Sequence, residues 1–126
     1  MGVTYDTGAL VAADRGERRQ WARHKALLAS REVPVVPAPV LAQSWRGGSR
    51  QALLARILTG CRIEALDDPL ARAAGAIAAR AATTDIVDAC VVEGALRRRD
   101  LIISSDHGDL HAIAAALSCQ LEIDHP

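Results

Sequence analysis

DLIISSDHGDL, residues 100–110, carries an aliphatic run, Leu101-Ile102-Ile103, that passes two serines and meets Asp106. The chain opens in the same way: in MGVTYDTGAL, residues 1–10, Val3-Thr4-Tyr5 runs into Asp6. Both runs read as short strands. Parallel strands bring their carboxyl ends to one edge of a sheet, and in open α/β sheets sites lie beyond that edge. Two aspartates far apart in sequence are therefore expected to meet there.

The intervening chain supports a parallel sheet. Residues 2–5 read as the first strand, and Thr7 starts a helix before Ala9-Leu10-Val11-Ala12. Trp21, His24, Leu27 and Leu28 fall at helical spacing, which predicts a helix over about 16–30. Val33-Pro34-Val35-Val36 reads as a second strand, and Pro37-Ala38-Pro39 opens a helix through Val40, Leu41 and Trp45, because proline suits a first turn. Gly47-Gly48 breaks that helix, and Ser49 is the expected cap of the next, over about 50–59. Residues 61–66 alternate as a strand does. Helices over about 68–82 and 85–98, the strand 101–103, a helix over about 108–117 and a strand near 120–123 complete the series. Short strands alternating with helices predict a sheet of four to five parallel strands covered on both faces, a three-layer α/β/α fold.

Composition sets the limits. A chain of 126 residues is read as one domain spanning 1–126, with no repeats and no interdomain linker. Half of it is hydrophobic, yet Phe is absent and aromatics are 2%, so the core is built from Ala, Leu, Val and Ile. A charged fraction of 24% with a mean hydropathy of +0.10 describes a folded, soluble chain. Formal net charge is zero, so a polyanion has to be held by a local patch. Cys61, Cys90 and Cys119 share no metal-binding spacing and read as buried, reduced thiols of a cytoplasmic protein. No signal peptide is expected from the N-terminal residues, nor a membrane span from any stretch.

A third carboxylate stands in TTDIVDACVVEGAL, residues 83–96. Thr84 or Asp85 caps this helix, and Ile86, Val87, Cys90, Val91 and Val92 make it apolar around most of its circumference, hence buried. Asp88 lies one turn inside, where an unpaired carboxylate costs several kcal/mol, and Asp85 adds repulsion. No Lys or Arg is near in sequence. Converging carboxylates without a counter-charge push at least one pKa upward, and a hard divalent cation such as Mg²⁺ or Mn²⁺ relieves this.

In this order and spacing, YDTGAL, PAPVLAQSWR, DIVDACVVEGA and LIISSDHGDL resemble the PIN-domain nucleases, and more narrowly the VapC-type toxins of toxin–antitoxin pairs. The resemblance covers essentially the whole chain. It implies a PIN-like fold and metal-dependent hydrolysis of RNA phosphodiester bonds, with Asp6, Asp88 and Asp106 as metal ligands. Asp109 falls where many members hold a further acid, while Thr7 and Ser104 match hydroxyl positions that orient ligands or water. Asp85 lies near the site without an assigned role. It further implies a homodimer neutralised by a small VapB-like antitoxin.

Gln43, in VLAQSW, departs from this pattern, since the family usually places a glutamate there. An amide can still hold a water but removes one negative charge, so metal affinity is expected to fall. This keeps open a second reading, a weakened or inactive module that binds RNA or a protein partner.

Each acid also has a plainer reading. Asp6 and Asp85 suit helix caps, Asp106 and Asp109 suit a turn around Gly108, and Asp88 suits a structural salt bridge. Arg97-Arg98-Arg99 reads as a solvated helix terminus. Arg46 and Arg50, flanking Gly47-Gly48, are candidates for RNA phosphates. With only Tyr5, Trp21 and Trp45 as aromatics, base stacking is not expected, and Trp45 reads as core or interface. A zinc hydrolase built on His107 and His111 lacks the required glutamate, with Gly108 following the first histidine. A phosphatase using Asp6 as nucleophile lacks its second aspartate, with Gly8 in that place.

Overall fold

In the computed structural model, which describes residues 2–126, five three-residue strands form one sheet. They are β1 (Val3–Tyr5), β2 (Val35–Pro37), β3 (Arg62–Glu64), β4 (Leu101–Ile103) and β5 (Glu122–Asp124), in the order β3-β2-β1-β4-β5. Every pairing is parallel, with Tyr5 opposite Ile103 and Ile103 opposite Asp124. Parallel pairing requires a crossover between strands. The crossovers are α1 (Thr7–Asp14), α2 (Arg18–Ala29), α3 (Ala38–Ser44), α4 (Ala52–Leu58), α5 (Asp68–Ala81), α6 (Ile86–Arg98) and α7 (His107–Ala116).

Side-chain alternation on β1 defines the two faces. The Tyr5 hydroxyl shares a 3.0 Å hydrogen bond with His24 Nδ1 on α2. Thr4, on the other face, meets the end of α6: Arg98 Nη2 donates to its Oγ1 at 2.9 Å. The expected three-layer α/β/α architecture is therefore the one found. Leu10, Val36, Val92, Ile102 and Leu110 are fully buried, an aliphatic core in keeping with the absence of Phe.

Element boundaries depart from expectation where a local hydrogen bond decides. Ser49 caps no helix; Ser49–Gln51 is a 3₁₀ turn ahead of α4. The Gln51 side chain plugs the end of α3 instead, donating to Ser44 O at 2.8 Å and accepting from the Arg46 amide at 2.7 Å. Of the cysteines expected to be buried, Cys90 is, Cys61 is partly so, and Cys119 is exposed beyond α7. Trp45 is 44% exposed and no part of the core.

The arginines ending α6 are not simply solvated. Arg97 and Arg98 both bind Glu64, at 2.6 and 2.7 Å. Arg98 Nε also reaches Asp100 at 2.8 Å, where the two side chains are only 13% and 4% exposed. Thr4 Oγ1 donates to the same Asp100 oxygen at 2.8 Å. Burial opposes ionisation of Glu64, but the hydrogen bonds from Arg97 and Arg98 outweigh it and hold the carboxyl below its ordinary value.

Candidate metal centre

The site is built where the strands end. One residue beyond the aligned row of Tyr5, Ile103 and Asp124 come Asp6, Ser104 and His125. The Asp6 amide donates to Ile103 O and the Ser104 amide to Asp124 O, both at 3.0 Å, so the sheet's hydrogen bonding carries these residues into place. Asp6 stands at the N-terminal cap of α1, yet its carboxylate makes no capping bond. It accepts instead from Ser104 Oγ at 2.6 Å, and both residues are buried. Ser104 Oγ in turn accepts the Asp106 amide at 2.9 Å. α1 and the β4–α7 loop pass so close that a Cβ at Gly8 would lie 2.8 Å from the Ser105 nitrogen, a distance only glycine permits.

Asp88 enters from α6. Asp85 caps this helix by accepting the Asp88 amide at 3.0 Å, which sets Asp88 on the first turn with its side chain inward. Asp106 likewise caps α7, accepting the Asp109 amide at 3.4 Å. The plain capping reading therefore holds for Asp85 and Asp106, and it does not compete with a site reading: each cap aims a further carboxylate at the same place. Carboxylate oxygens of Asp88, Asp106 and Asp109 all lie within 4.8 Å of one another. Asp6 is outside that tight set. A cavity of about 170 Å³ opens beside it, lined by Thr83, Asp85, Asp88, Asp109 and Ile113.

The electrostatics are one-sided. Among the described residues, none of Asp6, Asp85, Asp88, Asp106 and Asp109 is ion-paired with a Lys or Arg. Asp88 is buried, and its Oδ2 has no hydrogen-bond partner. Burial first, then the charges of Asp85, Asp6, Asp106 and Asp109, push its pKa up to about 7. Burial also raises Asp6, against the stabilising hydrogen bonds from Ser104 and the Thr7 amide, and Asp106 and Asp85 add to the rise. A buried, partnerless oxygen facing other carboxylates is a donor set that fits a hard divalent cation.

The remaining candidates fall around this centre unevenly. Thr7 Oγ1 donates to Gln43 Oε1 at 2.5 Å, which holds the exposed Gln43 against the residue that follows Asp6. Arg46 folds back onto Trp45 O at 2.8 Å, and Arg50 is exposed in the 3₁₀ turn. Sequence reasoning passed over His125. Its ring stacks on His107 at 4.1 Å between centroids with an interplanar angle of 18°. Following the last strand to its carboxyl end, as was done for the other two, locates it.

The family model for the PIN domain matches residues 3–116. No curated protein matches the chain. Among solved structures it is similar to a chain of VapBC2 from Rickettsia felis bound to a DNA fragment from their promoter, at 14% identity and a TM-score of 0.75, covering 100% of this chain and 99% of that one. A chain of FitAB bound to the IR36 DNA fragment shares 17% identity with a TM-score of 0.68, over 98% of this chain and 94% of that one. PAE2754 from Pyrobaculum aerophilum shares 16% with a TM-score of 0.65, over 98% and 89%. At such identities the structural likeness speaks for the fold alone. Among the described residues no helix is long and apolar enough to cross a membrane. With its family model covering nearly the whole length, the chain belongs to the PIN domain family.

Proposed function

We propose that this chain is a divalent-metal-dependent endoribonuclease, a VapC-like cytoplasmic toxin that hydrolyses RNA phosphodiester bonds and is neutralised by an antitoxin. The observation that carries the reading is the buried Asp88 carboxylate, whose Oδ2 has no hydrogen-bond partner and which pairs with no Lys or Arg among the described residues, close to the oxygens of Asp106 and Asp109. Asp6, Asp88 and Asp106 hold the ion in this proposal. Asp109 takes a larger share than its sequence position suggests, because its oxygen belongs to the tight set.

Mg²⁺ or Mn²⁺ supplies Lewis acidity, acidifying water and offsetting charge that develops on the phosphate oxygens. The chain's own residues do the rest. Ser104 keeps Asp6 ionised and fixed by donating to it. Asp109, exposed at the edge of the set, is placed to accept the proton released by the attacking water. Thr7 and Gln43, hydrogen-bonded to each other beside Asp6, orient water at the rim. Arg46 and Arg50, both exposed, are the candidates for phosphates.

Partners follow from exposed apolar surface. A groove of about 450 Å³ lined by Ala38, Leu41, Trp45, Leu58 and Ile63 supports an interface, either with a second copy in a homodimer or with the antitoxin. The solved VapBC2 and FitAB assemblies are the relatives that motivate an antitoxin.

The test is cleavage of total RNA by the purified protein in Mg²⁺ and in EDTA, alongside Asp6→Asn and Asp88→Asn. Wild type is expected to cleave only with metal, and each variant to lose about a hundredfold or more. Equal cleavage by all three overturns the proposal. Gln43 at the rim favours one second reading, a PIN module that binds RNA or a partner without turnover. Binding by wild type with no cleavage under any metal would select it.

A further inference from the structure

We propose that the stacked imidazoles of His107 and His125 form a platform for an unpaired nucleobase beside the carboxylate cluster, placing an RNA strand for cleavage. The proposal rests on the nuclease reading above for its substrate. The geometry is its own. The two rings lie 4.1 Å apart and nearly parallel, and His111 meets His107 edge-on at 6.4 Å and 69°. His125 and His111 are exposed, so the assembly presents flat, polar-edged π surface to solvent.

The platform is held from both sides. His107 Nε2 hydrogen-bonds to Ser104 O at 3.0 Å. His125 is fixed through its backbone: Arg23 Nη1 donates to its carbonyl at 2.7 Å, and its amide donates to Asp124 Oδ1 at 2.8 Å. Arg23 and Arg19 also ion-pair with Asp124, at 2.7 and 3.3 Å. A ring fixed before binding loses little rotamer freedom when a base stacks on it.

Its position is what gives it a use. Ser104 is shared: its hydroxyl holds Asp6 and the Asp106 amide, and its carbonyl holds the ring of His107. The platform and the proposed metal ligands are thus tied to a single residue. Among the described residues no Lys or Arg is ion-paired with the acidic centre, so apart from the proposed ion a strand gains from a contact to its bases. Bases of single-stranded RNA stack on aromatic side chains, His included, and stacking tolerates any base because each has a π face. A duplex offers no free face, so the platform selects unpaired RNA.

The experiment uses full-length protein and a single-stranded RNA oligonucleotide carrying 2-aminopurine, whose fluorescence is quenched on stacking. Binding is titrated in EDTA and in Mg²⁺, and cleavage is followed in parallel, for wild type, His125→Ala and His125→Tyr. Quenching by wild type, its loss in His125→Ala with binding or KM weakened about fivefold or more at near-constant kcat, and recovery in His125→Tyr are expected. Unchanged quenching and KM in His125→Ala overturn the proposal, as does weakening without loss of quenching, which would mark a stacked protein partner or a purely structural pair. If His125→Ala melts below wild type, His125→Tyr against His125→Gln, ring against no ring, decides in its place. If no protein cleaves RNA, the nuclease reading fails, while quenching that depends on His125 still upholds the platform; no quenching by wild type sinks the platform alone.

Discussion

The Ser104 hydroxyl donates to Asp6 Oδ2 at 2.6 Å, joining the carboxyl ends of two neighbouring strands whose residues are far apart in the chain. The bond stabilises a buried negative charge, so its loss is felt twice. Ser104→Ala is expected to cost about 1.5–3 kcal/mol of stability, the range for a hydrogen bond to a charged group. It should also push Asp6 further toward its protonated form and weaken Mn²⁺ binding. Urea unfolding and isothermal titration with Mn²⁺ check the two effects; intact metal affinity in the variant would separate Ser104 from the ion.

Metal-free stability should depend on pH with two limbs of opposite sign. Asp88 titrates near 7 in the folded chain against 3.8 as a free side chain. Its protonated form is favoured by folding, so that contribution is whole below about pH 4 and is lost as pH rises toward 7. Burial holds the His24 imidazole below its ordinary 6.5, so its contribution is present above that value and is lost as pH falls. Calorimetry from pH 4 to 8 should see both limbs. Saturating Mg²⁺ should abolish the Asp88 limb and leave the His24 limb.

Asp88→Asn removes the repelled charge. At pH 8 without metal it is expected to raise stability by about 1–3 kcal/mol, a discounted figure because Asp106 and Asp109 stay wet. The same variant should lose its stabilisation by Mg²⁺. A melting series with and without Mg²⁺ reads both, and a destabilised variant that still responds to metal would contradict the assigned site.

Gln43→Glu restores a carboxylate next to Asp6 and Thr7. Mn²⁺ affinity should rise about tenfold, the order expected for one added charge at short range in a partly solvated site. An unchanged dissociation constant by titration would turn Gln43 away from the ion.

Arg98→Met tests the cluster at the opposite end of α6. With Arg98 gone, Asp100 keeps, among the described residues, the Thr4 hydroxyl, and Glu64 keeps Arg97 and Arg62. Leaving a buried carboxylate unpaired should cost about 3–5 kcal/mol. Urea midpoints measure this, and Mn²⁺ affinity of the folded fraction should stay near wild type because the two sites lie at opposite ends of the helix.

What could be read in advance followed from periodicity and strand ends. Leu101–Ile103 and Val3–Tyr5 announced themselves by aliphatic and β-branched character, and parallel pairing then carried Asp6 and Ser104 to one edge. Asp88 was legible because a carboxylate inside an apolar helix has no ordinary excuse. The dual use of Asp85 and Asp106 was not, since a capping bond and a site position look like alternatives until the helix axis is known. Ser49, expected to cap the helix over about 50–59, lies in a 3₁₀ turn instead, and the Gln51 side chain reaches back to Ser44 O, a contact no propensity scale contains. The Thr4–Arg98–Asp100–Glu64 cluster joins β1, β3, the end of α6 and the loop before β4, and a local run of arginines carries no trace of its distant partners. His125 was missed because the edge reasoning was applied to β1 and β4 and not to β5.

The strand order has a consequence for biosynthesis. The central strand β1 is made before the other four strands, yet its neighbour β4 follows β2 and β3 in the chain, and Asp106 comes after it. Loop closure over so long a separation is slow, and the contact cannot begin until the partner exists. A nascent chain on the ribosome, or any fragment ending before Leu101, carries Asp6 and Asp88 without the residues that gather them. Whatever chemistry the carboxylates perform waits until the segment from Leu101 to Asp109 has been made and has paired with β1.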